Sequence, residues 1–212
     1  MTDPRKTHWD EVYGRRAATE LSWYEAHPGK SLELIRASGI QRDDPIIDVG
    51  GGASLLSEAL LDQGYRDLTV IDISSEALEK LRSRLGARAR AVTLLQQDVT
   101  TFRPARRFAL WHDRAVFHFL VNDQERRRYV DALRQTLRSD GHLIIATFGP
   151  EGPDRCSGLP VARYDAATLA RELGDPLKLI ESSLEMHRTP WGATQQFLYC
   201  RFQLASSGKQ LQ

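Results

Sequence analysis

The stretch PIIDVGGGAS, Pro45–Ser54, constrains the fold of this chain more than any other. Ile46, Ile47 and Val49 make a short apolar run of the kind that builds a buried strand, and Pro45 introduces it. Asp48 stands near the C-terminal end of that run, and Gly50, Gly51 and Gly52 then turn the chain. Ser54 opens a helical pattern, SLLSEALLDQ, and Gly64 falls at the C′ position that commonly ends a helix. Strand, glycine turn and helix predict the first βα unit of a nucleotide-type α/β domain, with the turn bare enough for a ligand to lie against its backbone.

Two ligand classes use such a turn. The dinucleotide fingerprint G-x-G-x-x-G/A needs a small residue at its last position, where helix and strand pack closely. Counted from Gly50, that position is Leu55, so the fingerprint fails. The pattern present is Asp48-x-Gly50-x-Gly52-x-Ser54. It resembles the first motif of the class I S-adenosylmethionine-dependent methyltransferases, an acidic residue followed by G-x-G-x-G, with Ser54 in place of the third glycine. S-adenosylmethionine carries an ammonium and a sulfonium and no phosphate, so a nearby carboxylate such as Asp48 suits it. The plainer alternative is a tight βα connection.

The next segments extend the pattern. Leu68–Asp72, LTVID, reads as a second strand ending in an acid. Asp72 follows Gly50 by 22 residues, close to the ~20 expected for a carboxylate that accepts from ribose hydroxyls. Ser74 and Ser75 cap a helix bearing Leu78, Leu81 and Leu85 and ended by Gly86. Ala91–Leu95 is a third strand, followed by Asp98 in QQDVTTF. The resemblance implies that an acid here binds the adenine amino group, with the next backbone N–H near the ring; Asp98 and Val99 match those positions. Asp48, Gly50, Gly51, Gly52, Asp72, Ile73, Asp98, Val99, Asp113 and Trp23 form the expected cofactor-binding set.

Phe108–His112, FALWH, reads as a fourth strand leading into DRAVFHFL. Ligands of such sheets bind in the crevice beyond the strand C-termini. That makes Asp113, Arg114, Phe117 and His118 the acceptor-side candidates, with Asp113 and His118 the expected catalytic pair. In the plain alternative Phe117 and Phe119 are core and Asp113–Arg114 is a solvated turn. Asn122 and Glu125 start a helix carrying Val130, Leu133 and Leu137, and Asp140-Gly141 turns into a fifth strand, HLIIATF. Gly149–Val161 is a long loop without periodicity, and Tyr164 and Asp165 start a helix to Leu173. Leu177–Arg188 and Ala193–Leu204 flank TPWG as a hairpin, and SSGKQLQ at 206–212 reads as a disordered tail.

Residues 1–30 are rich in aromatic side chains: His8, Trp9, Tyr13, Trp23, Tyr24 and His27. Trp9 and Tyr13, four apart, share a face if helical. This segment is either a packed terminal helix or a lid over the ligand. HPGKS at His27–Ser31 lacks the earlier glycine and the preceding strand of a P-loop and is rejected as one. A helix from Ser31 to Ser38, stopped by Gly39, follows.

Taken over the chain, the resemblance implies an α/β fold. It is a doubly wound Rossmann-like sheet of seven mostly parallel strands in the order 3-2-1-4-5-7-6, with an antiparallel C-terminal hairpin and helices on both faces. HWDEVY and SWYE are similar to the protein-lysine methyltransferase branch, while ATFGPEGPDRCSGLP looks like bacterial members with unassigned acceptors. The expected activity is in-line methyl transfer from S-adenosyl-L-methionine to an N, O or S nucleophile of a small-molecule acceptor. Asp113, His118 or Tyr24 would take a proton where the acceptor has one to lose. Two alternatives stand beside it, a protein-lysine N-methyltransferase and a non-catalytic S-adenosylmethionine-binding module.

Composition bounds the rest. At 212 residues, 1–205 forms one domain, and the oligomeric state is not specified by the pattern. A net charge of +1 gives no electrostatic case for nucleic acid or a membrane surface, and no run of ~18 apolar residues occurs. Cys156 and Cys200 lack C-x-x-C spacing, which points to a reducing cytoplasm and gives no support to a metal site.

Overall fold

In the computed structural model, which describes residues 3–205, the chain begins with helices Pro4–Arg15 (α1) and Gly29–Ala37 (α2). The glycine-turn unit follows as Ile46–Val49 (β1) and Leu56–Asp62 (α3), then Leu68–Asp72 (β2), Ser75–Leu85 (α4), Val92–Gln96 (β3) and Phe108–Arg114 (β4). Asp123–Thr136 (α5) leads into Leu137–Phe148 (β5). A two-residue hairpin, Arg155–Cys156 (β6) and Leu159–Pro160 (β7), and Ala166–Leu173 (α6) precede the long antiparallel pair Leu177–Arg188 (β8) and Thr194–Leu204 (β9).

The seven-stranded sheet runs β3-β2-β1-β4-β5-β9-β8. Its first five strands are mutually parallel, and β9 is antiparallel to both β5 and β8. This is the strand order and the antiparallel end that the resemblance implies. All four residues of β1 are buried, as a central parallel strand covered on both faces requires. Successive residues point to opposite faces, so Ile47, Val49 and Trp111 meet α5 and α6 through Tyr129, Leu133, Leu169 and Leu173. Ile46 and Leu110 instead meet α2, α3 and α4 through Leu32, Ile35, Leu56, Leu60, Leu78 and Leu81. Each such side chain, withdrawn from water, contributes about 1.5–3 kcal/mol.

Several boundaries differ from the sequence reading for local reasons. Helix α3 starts at Leu56, because Ser54 stays outside it and its Oγ accepts the Leu56 N–H at 3.0 Å. Leu137, read as the last apolar position of a helix, is the first residue of β5 and pairs with Phe108. Asp140, with φ of 65°, makes the expected Asp-Gly turn an irregularity inside the continuous strand β5. Strand β4 continues two residues past His112, which puts Asp113 and Arg114 on the sheet. The segment 206–212, read as a disordered tail, lies outside the described residues. Among the described residues no helix is long and apolar enough to cross a membrane.

Candidate active site

A cavity opens at the C-terminal ends of β1, β2 and β4, where a doubly wound sheet places its ligand. Its floor is the glycine turn. Gly50 has φ of 68° and donates to Ile71 O at 2.7 Å, and a Cβ there would meet Val116 Cγ2 at 2.2 Å. A Cβ on Gly51 would lie 2.2 Å from Asp48 Oδ2, so only glycine lets the Asp48 carboxylate rest against the turn. Both glycines and Asp48 line the cavity. Gly52 stands behind it, with its N–H donating to Asp72 Oδ2 at 3.1 Å.

Three carboxylates reach the cavity from successive strand ends. Asp48 is 4% exposed; its Oδ1 meets the His112 ring, and its Oδ2 has no hydrogen-bond partner among the described residues. Asp72 accepts from Ser74 N at 2.9 Å as well as from Gly52, and burial pushes its carboxyl up to about 6 despite those two bonds. Asp98 caps the turn after β3 by accepting from Thr100 N at 2.8 Å, and its Oδ2 pairs with Arg5 at 2.5 Å. Ile73, Val99 and Trp23 also line the cavity, so the sequence-derived set converges there, with Gly52 set back and Asp113 the exception.

Asp113 and His118, the expected catalytic pair, lie beneath the cavity rather than on its wall. Asp113 is wholly buried on the α5 face of β4, where it accepts from Tyr129 OH at 2.6 Å and from Val116 N at 2.9 Å. Burial raises its carboxyl to about 6, the Tyr129 hydroxyl opposing the shift. Its work is to hold the chain's exit from β4. His118 is equally buried between Phe119 and Phe148, and its Nδ1 accepts the Phe148 N–H at 3.3 Å. Burial, with Arg114 nearby, drives its imidazole down to about 3, so it stays neutral. Asp113 sits at the end of β4 and His118 in the 3-10 turn Phe117–Phe119 just beyond it; the face Asp113 takes is fixed only by the sheet register.

The structure adds Arg5, Asp10, Glu25 and His187, which the sequence did not single out, and places others that it did. Arg5, from α1, pairs with Asp98 and with Glu125 at 3.1 Å. Asp10 accepts from Ser74 Oγ at 2.7 Å and also pairs with Lys6, which pins α1 across the start of α4. Trp9 and Tyr13 do share a face, 6.0 Å apart, and both line the cavity with Trp23. Arg114, on the cavity wall, ties the 23–25 segment to the sheet: it donates to Trp23 O at 2.7 Å, ion-pairs with Glu25 at 2.9 Å and donates to Tyr199 OH at 2.8 Å. Tyr24 and Glu25 are shared with a second, more polar recess lined also by Lys30, His187, Arg188 and Tyr199. Cys156 is buried and its thiol is pushed up to about 11, so it stays protonated.

Comparison with known proteins agrees with this geometry. A methyltransferase-domain family model matches residues 46–141. The mouse eEF1A lysine and N-terminal methyltransferase is 30% identical over 121 residues, 56% of this chain and 17% of that protein. A malonyl-[acyl-carrier protein] O-methyltransferase from a Paenibacillus strain is 28% identical over 130 residues, 59% of this chain and 46% of that one. The chain thus spans about a fifth of the length of the eEF1A-directed relatives it matches. Among solved structures, the N-methyltransferase NodS from Bradyrhizobium japonicum with bound S-adenosyl-L-homocysteine superposes at a TM-score of 0.70, 20% identity, 92% of this chain and 97% of that one. A structure from work on thioacetal formation in echinomycin biosynthesis superposes at 0.78, 19% identity, 97% and 94%. The glycine turn, the strand order and these matches support a methyltransferase domain over residues 46–141 and make the chain similar to the class I S-adenosylmethionine-dependent methyltransferases.

Proposed function

We propose that this chain binds S-adenosyl-L-methionine in the main cavity and transfers its methyl group to an N, O or S nucleophile of a small-molecule acceptor. The observation that carries the reading is Asp48 Oδ2, a buried carboxylate oxygen at the edge of a glycine turn with no hydrogen-bond partner among the described residues. An unpartnered buried acceptor of this kind costs about 1–3 kcal/mol, more if charged, and a cation seated beside it removes that cost. The α-ammonium of the cofactor has the required charge, Asp72 would accept from the ribose hydroxyls, and Asp98 and the Val99 backbone would meet the adenine.

When bound, the cofactor would supply a sulfonium methyl to an acceptor lone pair, the bond to the methyl carbon forming as the carbon–sulfur bond breaks and the thioether leaves. The chain contributes alignment and exclusion of water, for which proximity is the largest lever. Helix α1, with Arg5, Trp9 and Tyr13 on the cavity wall, serves as the lid in this reading. The acceptor side passes from Asp113 and His118 to Tyr24 and Glu25, which join the cavity to the polar recess. His187 lines that recess; its Nε2 lies 2.7 Å from Ser22 O, and burial together with Arg114 lowers its imidazole below the usual value. It therefore presents a neutral ring that can take a proton from an acceptor. Two free, buried cysteines fit a reducing cytoplasm.

A protein-lysine acceptor is the second reading, favoured by the eEF1A lysine and N-terminal methyltransferases among the matches. Titration calorimetry is expected to show micromolar binding of S-adenosylmethionine or S-adenosylhomocysteine, on the order of −7 to −8 kcal/mol. No heat with either, together with clear binding of NAD, would overturn the proposal. A screen with labelled cofactor, small nucleophiles in one arm and protein extract in the other, separates the two acceptor classes. Cofactor binding without transfer in either arm leaves the non-catalytic module as the answer.

A further inference from the structure

The Asp48 carboxylate is held from behind by two side chains outside the cofactor-binding set. His112 stands directly opposite Asp48 in the parallel β1–β4 register, so both project from the α2 face of the sheet. Its Nδ1 lies 2.7 Å from Asp48 Oδ1, and its Nε2 lies 2.9 Å from Ser31 Oγ, in the first turn of α2. A carboxylate oxygen accepts, so the Nδ1–H donates to Asp48, and Nε2 and the Ser31 hydroxyl share the second bond. All three members of the chain are sealed from water, at 4%, 2% and 1% exposed for Asp48, His112 and Ser31.

Serine, histidine and aspartate in this order and at these distances form the nucleophile constellation of hydrolases. Placement argues against that use here. Asp48 and His112 line the cavity, whereas Ser31, the residue that would attack, is buried behind them and does not line it. The direction of the chain is reversed: its carboxylate end, not its hydroxyl end, faces the ligand. With Oδ1 committed to His112, rotation of the carboxylate would break that bond, so Oδ2 stays fixed against Gly51 as the one free acceptor.

We propose that Ser31 and His112 are positioning residues that orient Asp48 to select ligands bearing an α-ammonium group. The inference rests on the cofactor reading above and adds to it the residues that set the selectivity of that subsite. Its test is binding alone. S-adenosylhomocysteine carries the ammonium; 5′-methylthioadenosine shares the adenosine and the thioether and lacks it. Calorimetric affinities for both are measured on the unaltered protein and on Ser31→Ala, His112→Ala and His112→Asn, with melting curves to show that each folds.

His112→Ala is expected to weaken S-adenosylhomocysteine by about tenfold or more, the scale of a lost hydrogen bond to a charged group, and to change 5′-methylthioadenosine by less than about twofold. Ser31→Ala shifts the same ratio by a smaller factor. His112→Asn restores most of it, because the Asn amide N–H can take the place of Nδ1–H. If His112→Ala fails to fold, Ser31→Ala and His112→Asn carry the comparison. Equal losses for both ligands would mean that the pair only stabilises the fold, and an unchanged ratio in every variant would equally overturn the proposal. Failure of the unaltered protein to bind either ligand would instead overturn the cofactor reading, and the inference with it.

Discussion

With Asp72 assigned to the ribose as proposed, cofactor affinity should depend on pH, in a direction set by its burial. Burial raises its carboxyl to about 6 in the free protein, with the Ser74 and Gly52 N–H groups only partly opposing the shift. Ribose hydroxyls donated to this carboxylate favour its ionised form, so binding pulls the value back down. Affinity is then intact above the free value and is lost as the pH falls through it. With a free value of about 6 and a bound value near the ordinary ~4, Kd rises by roughly tenfold between pH 7 and pH 5, or about 1.4 kcal/mol. At pH 5 close to one proton should leave the protein for each cofactor bound. Calorimetry with S-adenosylhomocysteine at pH 7, 6 and 5, in buffers of different ionisation enthalpy, measures both quantities. Asp72→Asn should bind more weakly at pH 7 and show a flatter profile. A Kd that is constant from pH 7 to 5, with no dependence on the buffer, would refute the assignment of Asp72 to the ribose.

The same carboxyl chemistry at Asp113 should have a different outcome, because its side chain does not line the cavity. Asp113→Asn should lower the melting temperature, by the equivalent of about 1–3 kcal/mol for donors left facing an amide N–H, and leave Kd for S-adenosylhomocysteine within about twofold; a large loss of affinity in calorimetry would return Asp113 to the cavity. Since folding raises its carboxyl from 3.8 to about 6, its contribution to stability is present below pH 4 and lost as the pH rises through 6, so Asp113→Asn should flatten the melting profile across that window. Gly51→Ala forces a methyl to within 2.2 Å of Asp48 Oδ2 and should weaken S-adenosylhomocysteine by at least about tenfold, measured beside 5′-methylthioadenosine; unchanged affinity would show that the carboxylate is free to move. Arg5→Ala removes the pairs with Asp98 and Glu125 and should speed tryptic cleavage at Arg15 and Arg16 in the absence of cofactor, with saturating cofactor slowing it again; cleavage indifferent to cofactor would assign α1 to packing rather than to a lid.

What the sequence made legible follows from the range of the interactions involved. The turn at Gly50–Gly51, the acid at the end of β2 and the acid after β3 are local features, each a few residues from the strand end that positions it. They could be placed by spacing alone, and they do converge on the cavity. Asp113 and His118 were misplaced because the decisive quantity is the face a side chain takes. His112 and Asp113 are neighbours in sequence, yet one turns to α2 and the other to α5. The sequence reading ended the strand at His112 and so treated Asp113 as the start of the loop, where no face is imposed. Arg5, Glu25 and His187 were invisible for a related reason: each acts through partners far away along the chain, such as Asp98, Arg114 and Ser22, and no periodicity marks such a pair.

That division also explains how the cavity can be specified so closely by a chain whose surface charge is nearly balanced. Apart from the Asp98–Arg5 and Glu25–Arg114 pairs, its polar groups do not depend on surface ion pairs, which contribute at most about 1 kcal/mol each. They are held by the sheet itself. Asp48 and His112 are register partners, so the β1–β4 ladder sets their separation before any side chain is packed. Asp72 is clamped by two backbone N–H groups, one from the glycine turn and one from the start of α4, so a shift of either element would leave a buried donor without its acceptor. The acceptor side has no such framework. Glu25 is held by side-chain pairs to Arg114 and Tyr199, and Tyr24 precedes it on an irregular segment. A rigid half built on strands and an adjustable half built on loops is the arrangement expected where one ligand is constant and the other is the variable part of the reaction.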